Sequence, residues 1–433
     1  MRRRDVLAGL FGIAGAPVLG GATAAATPAQ AKPKKVLTGF EVLQESGYDA
    51  LRGQRVGVIS NPTGILPDLR HEVDEMVSSG EVDIVAVFGP EHGFRGTSQA
   101  GQGEEFFIDE KTGLPVYNAY NDADRMSELF DEVGLDTVVF DIQDVGARFY
   151  TFIWTMYLAM EAAAETGKRF VVLDRPNPIT GRQAMGPVLH PEHATFVGLK
   201  PISQQHGMTV GELAQLFNAE FLPEAVGTQV DLEVVPLRHW FRDMWYEETG
   251  LPWVMPSPNM PTVDTATVYP GTCLFEATAL SEGRGTTRPF ELIGAPEIDH
   301  RWEEALNARQ IPGVSFREAY FNPTFSKHAG NVCGGVQVYV HDRDTYDPIR
   351  TGLTMIIAAR QEFPQYRWRS QDGPTSFWLD KLTGSDRARL AIDAGADIDE
   401  VVDGWQDELA EFRKVREKYL IYLKVRRGGH WES

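Results

Sequence analysis

Residues 82–96 read V-D-I-V-A-V-F-G-P-E-H-G-F-R-G. β-Branched and apolar residues run as far as Phe88 and stop at Gly89-Pro90. Glu91, His92 and Arg95 follow at once, interleaved with glycines. This is the pattern of a buried strand that presents polar groups at its carboxyl end. In an open parallel α/β sheet that end is where ligands bind, so the polar groups stand where chemistry is expected.

On either side, the chain repeats the pattern. Arg55 to Ser60 predicts a strand that ends at Asn61-Pro62-Thr63-Gly64, and Leu69 to Gly80, apolar at helical spacing, predicts the crossover to the strand at Ile84 to Phe88. A helix capped at Thr38 and reaching about Leu51 precedes the first strand. Gly93 to Tyr120 is a Gly-rich polar loop, long enough to cover the strand ends, with a short strand at Leu114 to Tyr117. After helical residues from Met126, the strand Thr137 to Phe140 ends in D-I-Q-D-V-G-A-R, which carries Asp141, Asp144 and Arg148. A helix over Thr151 to Thr166 leads to the strand Arg169 to Leu173, which ends at Asp174. One such residue alone is ordinarily a cap for the next turn. Here Asn61, Glu91, Asp141 with Asp144, and Asp174 would share one sheet edge, and several are followed by Gly or Pro rather than by a helix. No G-x-G-x-x-G or Walker pattern follows a strand, so no nucleotide cofactor is expected.

Thr209 with Glu212 predicts a capping box directly after His206, and Leu232 to Pro236 a further strand. The Pro-rich W-V-M-P-S-P-N-M-P at 253–261 breaks regular structure and sets the expected boundary between an N-terminal domain at 36–258 and a C-terminal domain at 259–433. The second half opens with Thr267 to Phe275 and Glu276, then S-E-G-R-G-T-T-R-P-F with Glu282 and Arg284, a loop whose glycines let amides and guanidiniums approach an anion. Val332 to Val340 reads as a strand, Gly352 to Ala359 as a helix, and Trp378 onward as mostly helical. Leu409, Phe412, Val415, Tyr419 and Tyr422 are core by their spacing.

Composition narrows the function classes. The 41 Lys+Arg against 61 Asp+Glu give a formal charge of −20, which argues against a nucleic-acid partner because such proteins need a basic face; an anionic substrate must be met by placed arginines. Arg2 to Arg4, the apolar run from Val6 to Leu19 and the Ala29-Gln30-Ala31 site read as a signal peptide over 1–31 that fits the twin-arginine pattern, with export to the periplasm or cell exterior and no membrane span left after cleavage. Cys273 and Cys333 read as buried apolar fillers, with a disulfide as the alternative.

The convergent carboxylates suit glycoside hydrolysis, which needs a protonated carboxyl beside the leaving oxygen and a second group to assist water or stabilise positive charge. Glu91 is the expected acid, since desolvation between an apolar strand and glycines raises a carboxyl pKa. Asp141 or Asp144 would be the second carboxylate, Asp174 and Glu276 the reserves, and His92 and His206 the groups that tune them. A metal site competes for the same residues, but there is no H-E-x-x-H, and His190 and His193 lie in a Pro-containing loop. No G-x-S-x-G supports a serine nucleophile, and Ser326-Lys327 does not form S-x-x-K.

G-P-E-H-G-F-R-G, F-D-I-Q-D-V-G-A-R-F-Y-T, V-L-D-R-P-N-P, S-P-N-M-P-T, Y-P-G-T-C-L-F-E and S-E-G-R-G-T, in this order from Leu37 to Tyr422, together resemble the NamZ family of exo-acting β-N-acetylmuramidases. The resemblance implies a Rossmann-like N-terminal domain, a smaller α/β C-terminal domain and an active-site cleft between them. It also implies release of terminal non-reducing N-acetylmuramic acid from peptide-free peptidoglycan fragments, with Glu91 at the position of the family's acid and Glu282, Arg284 and Thr286 matched. For the lactyl carboxylate of muramic acid, the candidate partners are Arg95, Arg148 and Arg284. The competing classes are a metal-assisted hydrolase of wall peptides or esters and a non-catalytic wall-glycan binding protein.

Overall fold

The computed structural model describes residues 35–120, 123–370, 373 and 376–423; the expected export signal lies outside them. Nine strands fall before the Pro-rich segment: β1 (Arg55–Ser60), β2 (Asp83–Gly89), β3 (Phe107–Ile108), β4 (Pro115–Asn118), β5 (Thr137–Asp141), β6 (Arg169–Leu173), β7 (Met185–Val188), β8 (Ser203–Gln205) and β9 (Asp231–Val235). Seven of them form one sheet in the order β3-β4-β2-β1-β5-β6-β9, parallel throughout except for β3, which pairs antiparallel with β4 at the edge. β7 and β8 make a separate two-stranded ribbon. In register, Ile59 sits opposite Phe88 on one side and Phe140 on the other, and Phe140 opposite Val172. The carboxyl ends of β1, β2, β5 and β6 therefore lie along one edge, as the strand endings imply.

Side-chain alternation divides this sheet between two apolar layers. Val56, Val58, Val87, Val139, Val171 and Leu173 pack with helices Gly39–Glu45 and Glu72–Ser79. Ile59, Phe88, Val138, Phe140, Phe170 and Val172 face the other way, into a cluster shared with the helix Phe152–Glu165. That cluster runs on without a break into the C-terminal half, through helices Val263–Thr272 and Pro348–Glu362 and a three-stranded antiparallel sheet in the order β10-β12-β11, with β10 (Leu292–Ala295), β11 (Val314–Phe321) and β12 (Cys333–Val340). From Lys35 onward the chain packs as one compact unit.

Local chemistry explains where elements start and stop. The first helix ends at Glu45 rather than near Leu51 because Gly47 and Tyr48 take left-handed backbone, φ 68° and 58°. The second starts at Glu72 rather than Leu69 because Leu69 turns at φ 71° and the His71 Nδ1 caps Val73 N. Thr38 with Glu41 and Thr209 with Glu212 both form capping boxes. β11 is not among the expected elements, although V-S-F-R-E-A-Y-F buries Val314, Phe316 and Ala319 in strand alternation. Cys273 and Cys333 are both buried free thiols, not a disulfide. Among the described residues, no helix is long and apolar enough to cross a membrane.

The last described residues close back onto the first sheet. The Tyr422 hydroxyl donates to Asp174 Oδ2 at 2.6 Å and accepts from Leu237 N at 2.7 Å, and Ile421 N donates to Glu212 Oε1 at 2.9 Å. Within the C-terminal half, Val263–Thr272 and Pro348–Glu362 touch backbone to backbone: a Cβ on Gly352 would lie 2.3 Å from Gly271 O, and one on Gly271 1.7 Å from Pro348 O. No side-chain rotation relieves such a contact, so Gly352→Ala must push the helices apart and is expected to lower stability by about 2–3 kcal/mol, the upper range for an overpacked core. Chemical denaturation that gives the variant the wild-type midpoint would show that the contact is not tight.

Candidate active site

Glu91 follows β2 at the first turn of the long polar loop. Gly93 N donates back to Pro90 O at 2.9 Å, which sets His92 and Gly93 at φ 74° and 82°. A histidine with left-handed backbone carries local strain that the surrounding structure must hold, a frequent property of functional turns. Here it is held by His92 N to Gln102 O at 2.9 Å and by Ser98 N to His92 O at 3.1 Å. The loop so folded brings Gly101 N to Glu91 Oε1 at 2.6 Å, while the Thr151 hydroxyl donates to Oε2. His92 Nδ1 lies 3.1 Å from Ser98 O, a carbonyl that can only accept, so Nδ1 carries the proton and Nε2 is left as an acceptor. Burial keeps the ring neutral by pushing its pKa down, against the opposing pull of Glu91.

Glu91 and His92 line a cavity of about 840 Å³ whose wall is shared between Phe149, Tyr150 and Thr151 of the N-terminal half and residues of the C-terminal half. There Glu276 lies just beyond helix Val263–Thr272, and Glu282 and Arg284 lie in the Gly-rich loop. Gly285, at φ 81°, passes so close to Phe325 that a Cβ would meet its backbone at 2.7 Å. Arg284 donates to Glu276 Oε1 at 2.7 Å, stands 3.4 Å from Glu282, and lies over the Phe290 ring at 5.1 Å. The Lys327 ammonium lies 2.9 Å from Glu282 Oε2 and donates to Phe275 O and Leu280 O at 2.8 and 2.9 Å. Burial pushes the Glu276 carboxyl up, but Arg284 and Lys327 outweigh it and hold the group below the usual carboxylate range. Phe149, Tyr150, Tyr269 and Trp378 supply the apolar lining, and Ser257 and Asn259 of the S-P-N-M-P motif add polar groups.

Of the residues expected from sequence, the structure thus brings Glu91, His92, Glu276, Glu282 and Arg284 to one cavity. The other seven stand elsewhere. Asp141 is fully buried in an ion pair with Arg175, with Oδ2 3.1 Å from Nη2. Asp144 accepts from Gly146 N at 2.6 Å and from His206 Nε2 at 3.1 Å, and His206 Nδ1 in turn accepts from Met208 N. Neither aspartate lines the cavity; the carboxylates that line it beside Glu91 are those of Glu276 and Glu282. Asp174 is enclosed by Gly211 N, Thr209 and Tyr422, and burial pushes it up to about 7. Asn61 pins the turn after β1 through Thr63. Arg95 pairs with Asp74 and Asp109, each at 2.8 Å. Arg148 is fully buried, where it donates to the carbonyls of Pro187, Ile202 and Leu382, and burial lowers it to about 9. Two of the three candidate arginines are thus structural. Lys327 and Arg369, both on the cavity wall, were not expected; a lysine in a loop carries no local signal of the carboxylate it meets.

Models of the exo-β-N-acetylmuramidase NamZ N-terminal and C-terminal domains match residues 56–264 and 267–422. The chain belongs to the NamZ family. NamZ-type relatives of known name or structure agree with that placement. The chain is 48% identical over 395 residues to the peptidoglycan β-N-acetylmuramidase NamZ of Bacillus subtilis strain 168, which covers 90% of this chain and 92% of that protein. Crystal structures of two DUF1343 family proteins of Bacteroides fragilis superpose with TM-scores of 0.80 and 0.71 at 33% and 30% identity, each over 90% of this chain and 99% of theirs.

The Glu276 pairing has a measurable consequence. A carboxyl held below its ordinary value of 4.5 contributes stability that is present above that value and lost as pH falls through the lowered one. Thermal unfolding between pH 3 and 7 should show wild type losing stability in the acid limb and Glu276→Gln losing less; parallel curves would mean the pairing is not stabilising.

Proposed function

We propose that Glu91 is the acid of an exo-acting peptidoglycan β-N-acetylmuramidase that this chain forms, working in the cavity it shares with Glu276, Glu282, Arg284 and Lys327. The enzyme releases terminal non-reducing N-acetylmuramic acid from peptidoglycan glycan fragments. The observation that carries the residue assignment is the pairing of one half-buried carboxyl from the N-terminal half with an ionised one from the C-terminal half in a single cavity. Glycoside hydrolysis uses two carboxyl groups, one to protonate the leaving oxygen and one to stabilise the positive charge on the sugar.

Glu91 gives its proton to the glycosidic oxygen as the bond to the anomeric carbon breaks, and water supplies both the hydroxyl that completes the released sugar and the proton that restores Glu91. Glu276, ionised, stabilises the positive charge that develops on the sugar ring. Thr151 and Gly101 hold the Glu91 carboxyl in place. Arg284, Lys327 and Arg369 set three cations against Glu276 and Glu282 on the same wall, one positive charge in excess, which suits the single lactyl carboxylate of muramic acid. That excess is local, on a chain of net charge −20. The Arg3-Arg4 pattern and the apolar segment after it support export of the chain, by the twin-arginine route, to where its substrate lies.

Release of a chromophore from a β-N-acetylmuramide tests the assignment. Wild type should turn over with and without chelator, and Glu91→Gln should lose about 10²–10⁴-fold in kcat, the range for removing a general acid. Full activity in the variant would move the acid to Glu276 or Glu282, and no turnover by folded wild type would refute the substrate.

A further inference from the structure

Trp368 stands in two walls at once. It lines the central cavity and also a neighbouring open groove of about 530 Å³, whose other residues are Arg360, Phe363, Pro364, Tyr366, Arg367 and Asp393. Its position is fixed from several sides. Ala279 N donates to Arg367 O at 3.0 Å and Arg369 N to Ala277 O at 2.7 Å, which splices residues 367–369 onto the cavity wall. The indole Nε1 donates to Asp393 Oδ1 at 2.9 Å, and the Tyr366 ring packs edge-on at 5.2 Å. Asp393 is itself held by Arg360 at 2.8 Å. A half-buried aromatic whose N–H is satisfied and whose backbone is pinned offers a preorganised apolar surface, the kind on which the C–H face of a pyranose packs.

The groove beyond it is basic. Arg360 and Arg367 outnumber Asp393 by one charge, and Arg369 stands on the cavity side. Arg360 and Arg367 are both exposed, and Arg360 is engaged by Asp393 whereas Arg367 is not. Its Nη1 donates to Pro364 O and Tyr366 O at 2.7 and 2.6 Å, which orients the guanidinium, and among the described residues its Nε and Nη2 donors have no partner. A guanidinium oriented by carbonyls with donors to spare is suited to a carboxylate from a ligand.

An enzyme that removes one terminal sugar encloses that unit and lets the rest of the chain leave through the cavity mouth. In an alternating glycan of muramic acid and glucosamine units, the next carboxylate lies two units past the bond being cut. We propose that the groove is a binding site for the continuing glycan: Trp368 supports the chain as it leaves the cavity, and Arg367 receives the lactyl carboxylate of the second muramoyl unit. This rests on the exo-muramidase reading above. It adds that the protein selects chains of at least two repeats whose second lactyl group is free, since a peptide on that group would convert the carboxylate to an amide.

The test compares kcat/KM for the first muramic acid released from a peptide-free disaccharide and from the tetrasaccharide of two repeats. Wild type should favour the tetrasaccharide about tenfold, the scale of one charge-assisted contact. Arg367→Ala should bring that ratio close to one, Arg367→Lys should restore part of it, and a tetrasaccharide amidated at its second lactyl group should give wild type the ratio of Arg367→Ala. Equal kcat/KM for the two lengths in wild type, or a preference that survives Arg367→Ala, overturns the groove assignment while leaving the muramidase reading intact. Folded wild type that cuts neither substrate overturns both.

Discussion

The buried pair of Asp141 and Arg175 ties together the carboxyl ends of the central strands. Asp141 ends β5 and Arg175 follows β6 by two residues, while the Ser60 hydroxyl at the end of β1 lies 3.2 Å from Asp141 O and 2.5 Å from Glu72 Oε1. Burial, together with the Asp141 charge, pushes Glu72 well above its ordinary range, and Arg175 pairs with Asp141. Removing one partner of such a pair would strand the other charge in the interior, at a cost of about 3–5 kcal/mol. The place where open α/β sheets ordinarily take their ligand is thereby filled with the protein's own groups. The cavity that holds Glu91 instead lies beside the end of β2, where the loop after Gly89 meets the C-terminal half.

That displacement separates what the sequence reveals from what it hides. The strands can be read because each is a short apolar run that stops at a polar residue, and β1 and β6 have the bounds their residues imply. Their common edge follows from parallel pairing. The split between chemistry and structure among the polar strand ends cannot be read in the same way: Glu91 and Asp141 both follow β-formers, and only the fold gives one a cavity and the other a guanidinium. Arg95 and Arg148 mislead for a related reason. Glycine neighbours mark close approach of backbone, and here what approaches is other protein.

The C-terminal contribution was legible as motif but not as geometry. S-E-G-R-G-T announces a loop able to meet an anion, and its glycines do take left-handed backbone. That Arg284 would be shared by Glu276 and Glu282, and that Lys327 would arrive from some forty residues away to balance them, depends on how β10, β11 and β12 fold over the helices. The same shared apolar cluster that continues across the Pro-rich segment packs behind both walls of the cavity.

The Tyr422 contact also orders events in time. Asp174 is sequestered at the end of β6 by a hydroxyl that lies 248 residues further along the chain, and Glu212 by the amide of Ile421. Synthesis runs from the N-terminus, so the central strands are made long before these partners, and Asp174 and Glu212 keep these acceptor positions open to water until the chain has reached Ile421 and Tyr422.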